Sequence, residues 1–356
     1  MRRIHVLILC LIVGTVALQS CEEKEKISPP DPPPDPPPTQ RGVEIDWASV
    51  PYDSLSTYGF FEGDLKDMVP AEGVLPYLPI NRLFTDFVLK KRYVWMPFSV
   101  SAEYVSDSES LHFPDSSVLI KHFYYDGVLP DGGRKILETR LMYILDGEWQ
   151  FANYIWNEAQ TEATYDMQGR TVHVEWEEPD MGIMDVDYRI PSATECLTCH
   201  KNYGSPIPLG LKPQSMNSYY QYDDGIKNQL AKWEEMGYLT PGYPTDIQTL
   251  VDWKDFSADM VERVRSFFDM NCGHCHMDGG HCDYRSLRLD YPSTVLPENM
   301  GVCVEPDEYI IGQPQLTHII AAGNPARSAL LYRMESNAVD ERMPLLGRTL
   351  TDPVSV

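Results

Sequence analysis

Between Val118 and Pro191 the chain runs in short stretches rich in β-branched and aromatic residues: VLIKHFYY, KILETRLMYIL, WQFANYIW, RTVHVEW and MDVDYRI. Asp126-Gly127, Asp131-Gly132-Gly133, Asp146-Gly147 and Gln168-Gly169 separate them. Connections this short join antiparallel neighbours, so the pattern predicts a meander or curved sheet. Upstream, INRLFTDFVLKKRYVWMP reads as a helix that passes into a strand. After Lys201 the pattern becomes helical with loops, in PQSMNSYYQY and GIKNQLAKWEEMGYL. SADMVERVRSFFDMNCGHCH puts Met260, Val264, Phe267 and Phe268 on one helical stripe, with Ser257 as its N-cap. A last short helix is expected in NPARSALLYRME, with Asn324 as cap and Pro325 in its first position.

The first residues follow a different logic. A basic MRRIH precedes the apolar run VLILCLIVGTVAL, which has the length of a signal peptide and is short for a membrane span. LQSC, ending at Cys21, resembles a bacterial lipoprotein box in which that cysteine is lipidated, and CEEKE resembles an acidic surface-export tag. Residues 1–20 are therefore expected to be a signal peptide and 21–42 a lipid anchor and spacer. The proline run ISPPDPPPDPPPTQ should extend about 35–40 Å from the membrane. The chain has 356 residues, enough for two ordinary domains, and a formal charge of −24 that argues against nucleic-acid binding.

Cysteine placement carries the chemistry. With Cys10 in the signal and Cys21 assigned to lipid, four of the remaining six cysteines form CLTCH (Cys196, Cys199, His200) and CGHCH (Cys272, Cys275, His276). Two thiols two residues apart can add to the vinyl groups of one haem, and the next histidine can then ligate its iron. Zinc and a redox dithiol are the rival readings. Zinc ribbons usually place their pairs about 15–20 residues apart, much closer than these, and neither rival explains a histidine directly after both pairs. Cys282 and Cys303 remain; in an oxidising compartment they are expected to pair, a closure worth about 3 kcal/mol. His274 and His281 read as ordinary surface residues.

For the sixth position on the second iron the methionines to weigh are Met277, Met300, Met334 and Met343. Met277 adjoins the proximal histidine, and Met334 falls in a helix pattern. Met343, followed by Pro344, is the candidate ligand. For the first iron Met142, Met181, Met184, Met216, His112, His122 and His173 all stay open, as does an empty distal side.

The segments LSTYGFF, LFTDFVLKKRYVWMP, HFPDSSVLIKHFYY, YIWNEAQTEA, YRIPSATECLTCH, MNCGHCH, NPARSALLYRME and RMPLLG together resemble a family of dihaem c-type cytochromes that often accompany right-handed β-helix proteins in bacteria. The resemblance implies haem at both motifs and Met343 as a ligand. The C-terminal part is similar to class I cytochrome c, which usually closes with a further helix; the sequence stops soon after Met343, so that either it is truncated or the helix is lost. If the helix is lost, Met260, Val264 and Phe267 are expected to be unusually exposed.

The expected fold class is α+β. An antiparallel β-rich domain (43–215) would carry the first haem. A helical connector (216–255) would lead to a small all-α class I cytochrome c-like domain (256–356) with the second. The expected cofactors are two covalently bound haems c, and the expected partners an extracytoplasmic redox protein and, through the anchor, an outer membrane or cell surface. Electron transfer is the expected role, with a haem enzyme or gas-binding protein open at the first haem as the alternative.

Overall fold

A computed structural model describes residues 42–98 and 100–356. The signal peptide, Cys21 and nearly all of the proline spacer lie outside the described residues.

Strands β1 (Phe61–Glu62) and β2 (Val69–Pro70) form a small ribbon beside an eight-stranded antiparallel sheet. That sheet comprises β3 (Leu75–Pro76), β4 (Leu89–Trp95), β5 (Val118–Val128), β6 (Gly133–Leu145), β7 (Glu148–Trp156), β8 (Ala163–Tyr165), β9 (Arg170–Glu178) and β10 (Gly182–Ile190). Its order is β3-β4-β5-β6-β7-β8, and the β9–β10 hairpin joins the far end of β5 through Val128 and Trp176. Side chains alternate between its two faces because the strand period is two.

On one face Tyr93, Trp95, Ile120, Leu141, Tyr154 and Trp156 are covered by the N-terminal segment through Leu55, Tyr58, Phe60 and Met68. His122 points to this side. It is fully buried beside Phe61 and Tyr93, and its Nδ1 lies 2.6 Å from Thr139 Oγ1, which also accepts from Trp156 Nε1 at 2.9 Å. Burial, with a smaller push from Lys91, lowers its pKa to about 3. An unfolded histidine titrates near 6.5, so below that pH the unfolded chain binds the extra proton. Stability should therefore fall as pH drops from about 6.5 toward 3. Urea unfolding between pH 7 and pH 4 checks this: the slope should flatten in His122→Leu, and an unchanged slope would remove His122 as its source.

The opposite face carries two apolar clusters. Val94, Leu119, Met142 and Ile144 pack under Leu211, Met216, Trp233 and Tyr238, while Phe123, Tyr125 and Ile155 pack with Val174, Trp176 and Tyr188. Later elements lie on this side: α1 (Ala193–Cys199), the hairpin β11 (Lys201–Asn202) and β12 (Ser205–Pro206), α2 (Pro213–Met216), the hairpin β13 (Tyr219–Tyr222) and β14 (Gly225–Asn228), and α3 (Gln229–Glu235). The C-terminal part adds only α4 (Met260–Phe268), α5 (Ala329–Glu335) and short single turns.

The expected α+β class with a small all-α class I cytochrome c-like domain is thus corrected. The described residues are mainly antiparallel β with five short helices. Pro292, Pro297, Pro306, Pro314 and Pro325, with Gly279, Gly280, Gly301, Gly312 and Gly323, interrupt the chain between the second motif and α5. No long helix can form across such spacing. INRLFTDF is likewise not helical, and within PQSMNSYYQY and GIKNQLAKWEEMGYL only Pro213–Met216 and Gln229–Glu235 are helices, while Tyr219–Tyr222 and Gly225–Asn228 form the β13–β14 hairpin turning at Asp223-Asp224.

Candidate functional site

The first motif is set by the end of the sheet. Ser192 caps α1, accepting from Glu195 N, while the Glu195 carboxylate accepts from Ser192 N. Such a reciprocal box satisfies two otherwise orphaned donors of the first turn. Arg189 adds two bonds to Glu195, at 3.1 and 2.8 Å, and holds its carboxyl down to about 2. The helix presents Cys196 and Cys199 and ends at His200, whose backbone N–H reaches Cys196 O at 3.0 Å. The β11–β12 hairpin then folds back, bringing Ile207 O to 3.0 Å from His200 Nδ1. A proton on Nδ1 that donates to this carbonyl leaves the Nε2 lone pair free, the arrangement a ligating histidine needs. The ring packs edge-on to Phe151 of β7.

The second motif follows α4. Its N-cap is Asp259, which accepts from Val261 N and Glu262 N, rather than Ser257. Met260 and Val264 are exposed, while Phe267 packs against Trp253 at 5.1 Å. A π-helical turn, Asp269–Gly273, continues the helix into the motif, a local widening common at functional sites. Asp269 pairs with Lys212 at 2.6 Å and Asn271 holds Phe84 N at 2.9 Å, so the turn is fixed to the β-sheet side of the molecule. Gly273 is required for packing, since a Cβ there would lie 2.9 Å from Leu289 O.

Cys272, Cys275, His276 and Met343 all line one cavity of about 310 Å³, at the small end of ligand pockets. Leu287, Leu289, Ile319, Leu330 and Leu346 supply apolar wall. His276 Nδ1 is buried without a partner among the described residues, and burial lowers its pKa to about 4. These features fit a haem at the second motif: two thiols, an imidazole and a thioether converge on an apolar space. At the first motif Cys199 lines the same cavity, and the Ile207 carbonyl at His200 Nδ1 suits a histidine that ligates through Nε2. Met277 lines a different cavity, Met300 is buried in a small cluster with Phe268 and Leu289, and Met334 lies on α5.

Met343 is held by backbone and by one arginine. Its N–H donates to Arg333 O at 2.9 Å. The buried Arg348 donates to Met343 O, Arg333 O, Ser336 O, Leu350 O and Asn337 Oδ1. Asp86 accepts from Thr349 N and Leu350 N, both at 2.7 Å, tying this segment to the β-rich part. Arg348→Met should therefore cost about 3 kcal/mol by stranding buried carbonyls. Thermal unfolding of the variant checks this; an unchanged midpoint would contradict the role.

The two motifs are brought together. Ligand atoms of Cys199, His274 and Cys275 lie within 4.8 Å of one another, and Cys275 Sγ is 3.6 Å from Thr198 O. Asn202 Nδ2 donates to Asp278 O at 2.7 Å and Tyr203 N to Gly279 O at 2.9 Å, so the hairpin after the first motif docks on the loop after the second. Gly279 has φ +73°, and a Cβ there would strike the Tyr203 ring at 2.6 Å. A hydrogen bond from Cys275 holds the Cys199 thiol well below its usual range and pushes the Cys275 thiol up.

His274 is buried, not a surface residue; it lines both the 310 Å³ cavity and a neighbouring one of about 600 Å³. His281 is exposed. Cys282 and Cys303 are free thiols, which corrects their expected pairing. Cys282 faces the first cavity and bonds Cys275 O through its N–H, whereas Cys303 is exposed beside the bridge of Val302 to Ile320.

Of the first-motif distal candidates, Met181 and His173 are exposed, His122 is on the far face, and Met184 sits on β10. Met216 is buried in the core beside Trp233. Met142 lies opposite Phe151, and His112 lines the larger cavity beside Ile207.

No family model, no curated protein and no solved structure matches this chain.

Proposed function

We propose that the chain is a lipid-anchored c-type cytochrome that carries two haems and passes electrons outside the cytoplasm, as its resemblance to the dihaem family implies. The observation that carries this reading is the convergence of Cys272, Cys275, His276 and Met343 on one apolar-walled cavity. A haem bound there would supply reversible one-electron chemistry. The chain's own residues attach it, offer one imidazole and one thioether to its iron, and exclude water with Leu287, Leu289 and Leu330. The contact between Cys199 and Cys275 supports exchange between two such groups, since it sets the motifs side by side. The signal-peptide and lipoprotein-box reading of residues 1–21 places this chemistry outside the cytoplasm, at an outer membrane or cell surface, with a redox protein as partner. No described helix is long and apolar enough to cross a membrane. Coproduction with haem-maturation machinery, followed by difference spectra, tests the reading.

Two rivals each have an observation in their favour. The gathered Cys199, His274 and Cys275 offer two sulfurs and a nitrogen, a soft set suited to zinc. Metal analysis that finds iron and no zinc removes that reading. An open first haem, for catalysis or gas binding, is supported by the poor placement of most of its distal candidates. Carbon monoxide should then shift the reduced spectrum, and a silent spectrum leaves electron relay.

A further inference from the structure

The sheet face beneath the first motif carries an unusual row. Arg92 of β4 stands directly opposite Lys121 of β5, Lys121 opposite Arg140 of β6, and Arg140 opposite Asn153 of β7. This polar line separates the two apolar clusters of that face. Lys90, one step along the same face of β4, adds a fourth cation. Lys121, Arg140 and Lys90 approach the Phe123 ring to 4.9, 4.1 and 5.9 Å.

The anions do not balance these charges. Glu138 is fully buried, but Arg140 engages it with both arms, at 2.8 and 2.5 Å, and Tyr188 donates to it at 2.8 Å. The Asp86 carboxylate is taken by Thr349 and Leu350. Lys90 Nζ reaches only a carbonyl, that of Leu83. Arg92, Lys90 and Lys121 have no ion-pair partner among the described residues. Arg92 is 7 % exposed and Asn153 is 2 % exposed, and Arg92 Nη1 and both Asn153 side-chain polar atoms are buried with no hydrogen-bond partner. Burial and mutual repulsion hold Lys90 and Lys121 well below the usual lysine range. Of these three cations Arg92 is buried, and Lys90 and Lys121 are half-buried; a buried charge is normally paired, and an unpaired one costs several kcal/mol. The row also lies beside the first motif: Phe151, two residues before Asn153 on the same face of β7, packs edge-on against the His200 ring at 5.6 Å.

We infer that Arg92, Lys121 and Asn153, backed by Arg140 and Lys90, form an oxyanion-binding site that serves whatever is held at Cys196, Cys199 and His200. Arg92 Nη1 and Asn153 Nδ2 are the free donors, and the cations supply the counter-charge. The oxyanion comes either from carboxylates of a haem attached there, or from a small free anion drawn to its iron. The assignment to haem rests on the proposed function; the anion site itself rests on the sheet face.

The test uses the full chain in which Cys196 and Cys199 are both alanine, so that no haem is held at the first motif. Acetate titrated calorimetrically should bind, and Arg92→Gln or Lys121→Gln in that background should weaken binding at least tenfold. Arg92→Lys should restore part of it. In the haem-loaded wild type two arms separate the sources. If haem carboxylates fill the row, acetate no longer binds and Arg92→Gln moves one haem to lower potential. If the row receives a free oxyanion, acetate or nitrite binds and perturbs the spectrum. Absence of acetate binding in the folded double-alanine protein, together with an unchanged potential in Arg92→Gln, would overturn the site. If no haem attaches to the wild type, the haem reading fails by itself, and the acetate titration still judges the row.

Discussion

Replacing Cys272 and Cys275 together by alanine is expected to halve the haem content, from two equivalents per chain to one. On the proposed reading two thioether bonds would be the covalent hold on that cofactor, and coordination by His276 and Met343 alone would leave it free to dissociate on dilution. The reciprocal change, Cys196 and Cys199 to alanine, should halve it from the other side. Cys199 and Cys275 adjoin, so each double variant should also alter the spectrum of the haem that remains. Haem per chain by alkaline pyridine assay, with intact mass, reads both effects. A full haem complement in either variant would sink the assignment of that motif.

The second large effect concerns Met343. A thioether favours the reduced iron, so Met343→Ala should lower the potential of one haem by on the order of 0.1 V or more. The other haem should keep its value, because the cavity that Met343 lines takes in Cys272, Cys275 and His276 but, of the first motif's cysteines and histidine, Cys199 alone. The variant should also gain carbon monoxide binding at that iron. Met343→Leu keeps the volume without the sulfur and should behave the same way, which separates ligation from packing. Potentiometric titration checks both; two unshifted potentials would reduce Met343 to an apolar wall residue.

How far these features could be read from the sequence depends on the range of the interactions. The five runs from Val118 to Ile190 correspond to β5, β6, β7, β9 and β10, because Asp-Gly and Gly-Gly turns act locally and alternate burial marks strands, while the three-residue β8 gives no such signal. The C-x-x-C-H spacing of both motifs is local too, and so is visible in the sequence alone. In the region after Lys201, expected to be helical with loops, α2 and α3 form, but the aromatic run Tyr219–Tyr222 and the Asp-Asp-Gly turn make the β13–β14 hairpin instead. The N-cap of α4 fell on Asp259, two residues past Ser257, since either residue type can accept the first-turn donors.

What depends on docking was not legible. Nothing local in CGHCH says that His274 is buried against Cys199, because the contact is made by Asn202 and Tyr203 reaching the loop at Asp278 and Gly279. The Cys282–Cys303 pairing rested on leftover arithmetic, and the chain turns the first inward and leaves the second exposed. The charged row on the sheet was hidden as well. Arg92, Lys121 and Arg140 sit in three separate strands and meet only through register.

Everything proposed for the two motifs depends on whether both hold haem. The most direct measurement is the intact mass and haem count of the full chain made with haem-maturation machinery, alongside metal analysis. Two covalent haems per chain, iron at two equivalents and no zinc are expected. A chain without covalent haem, or with zinc bound at Cys199, His274 and Cys275, would contradict it.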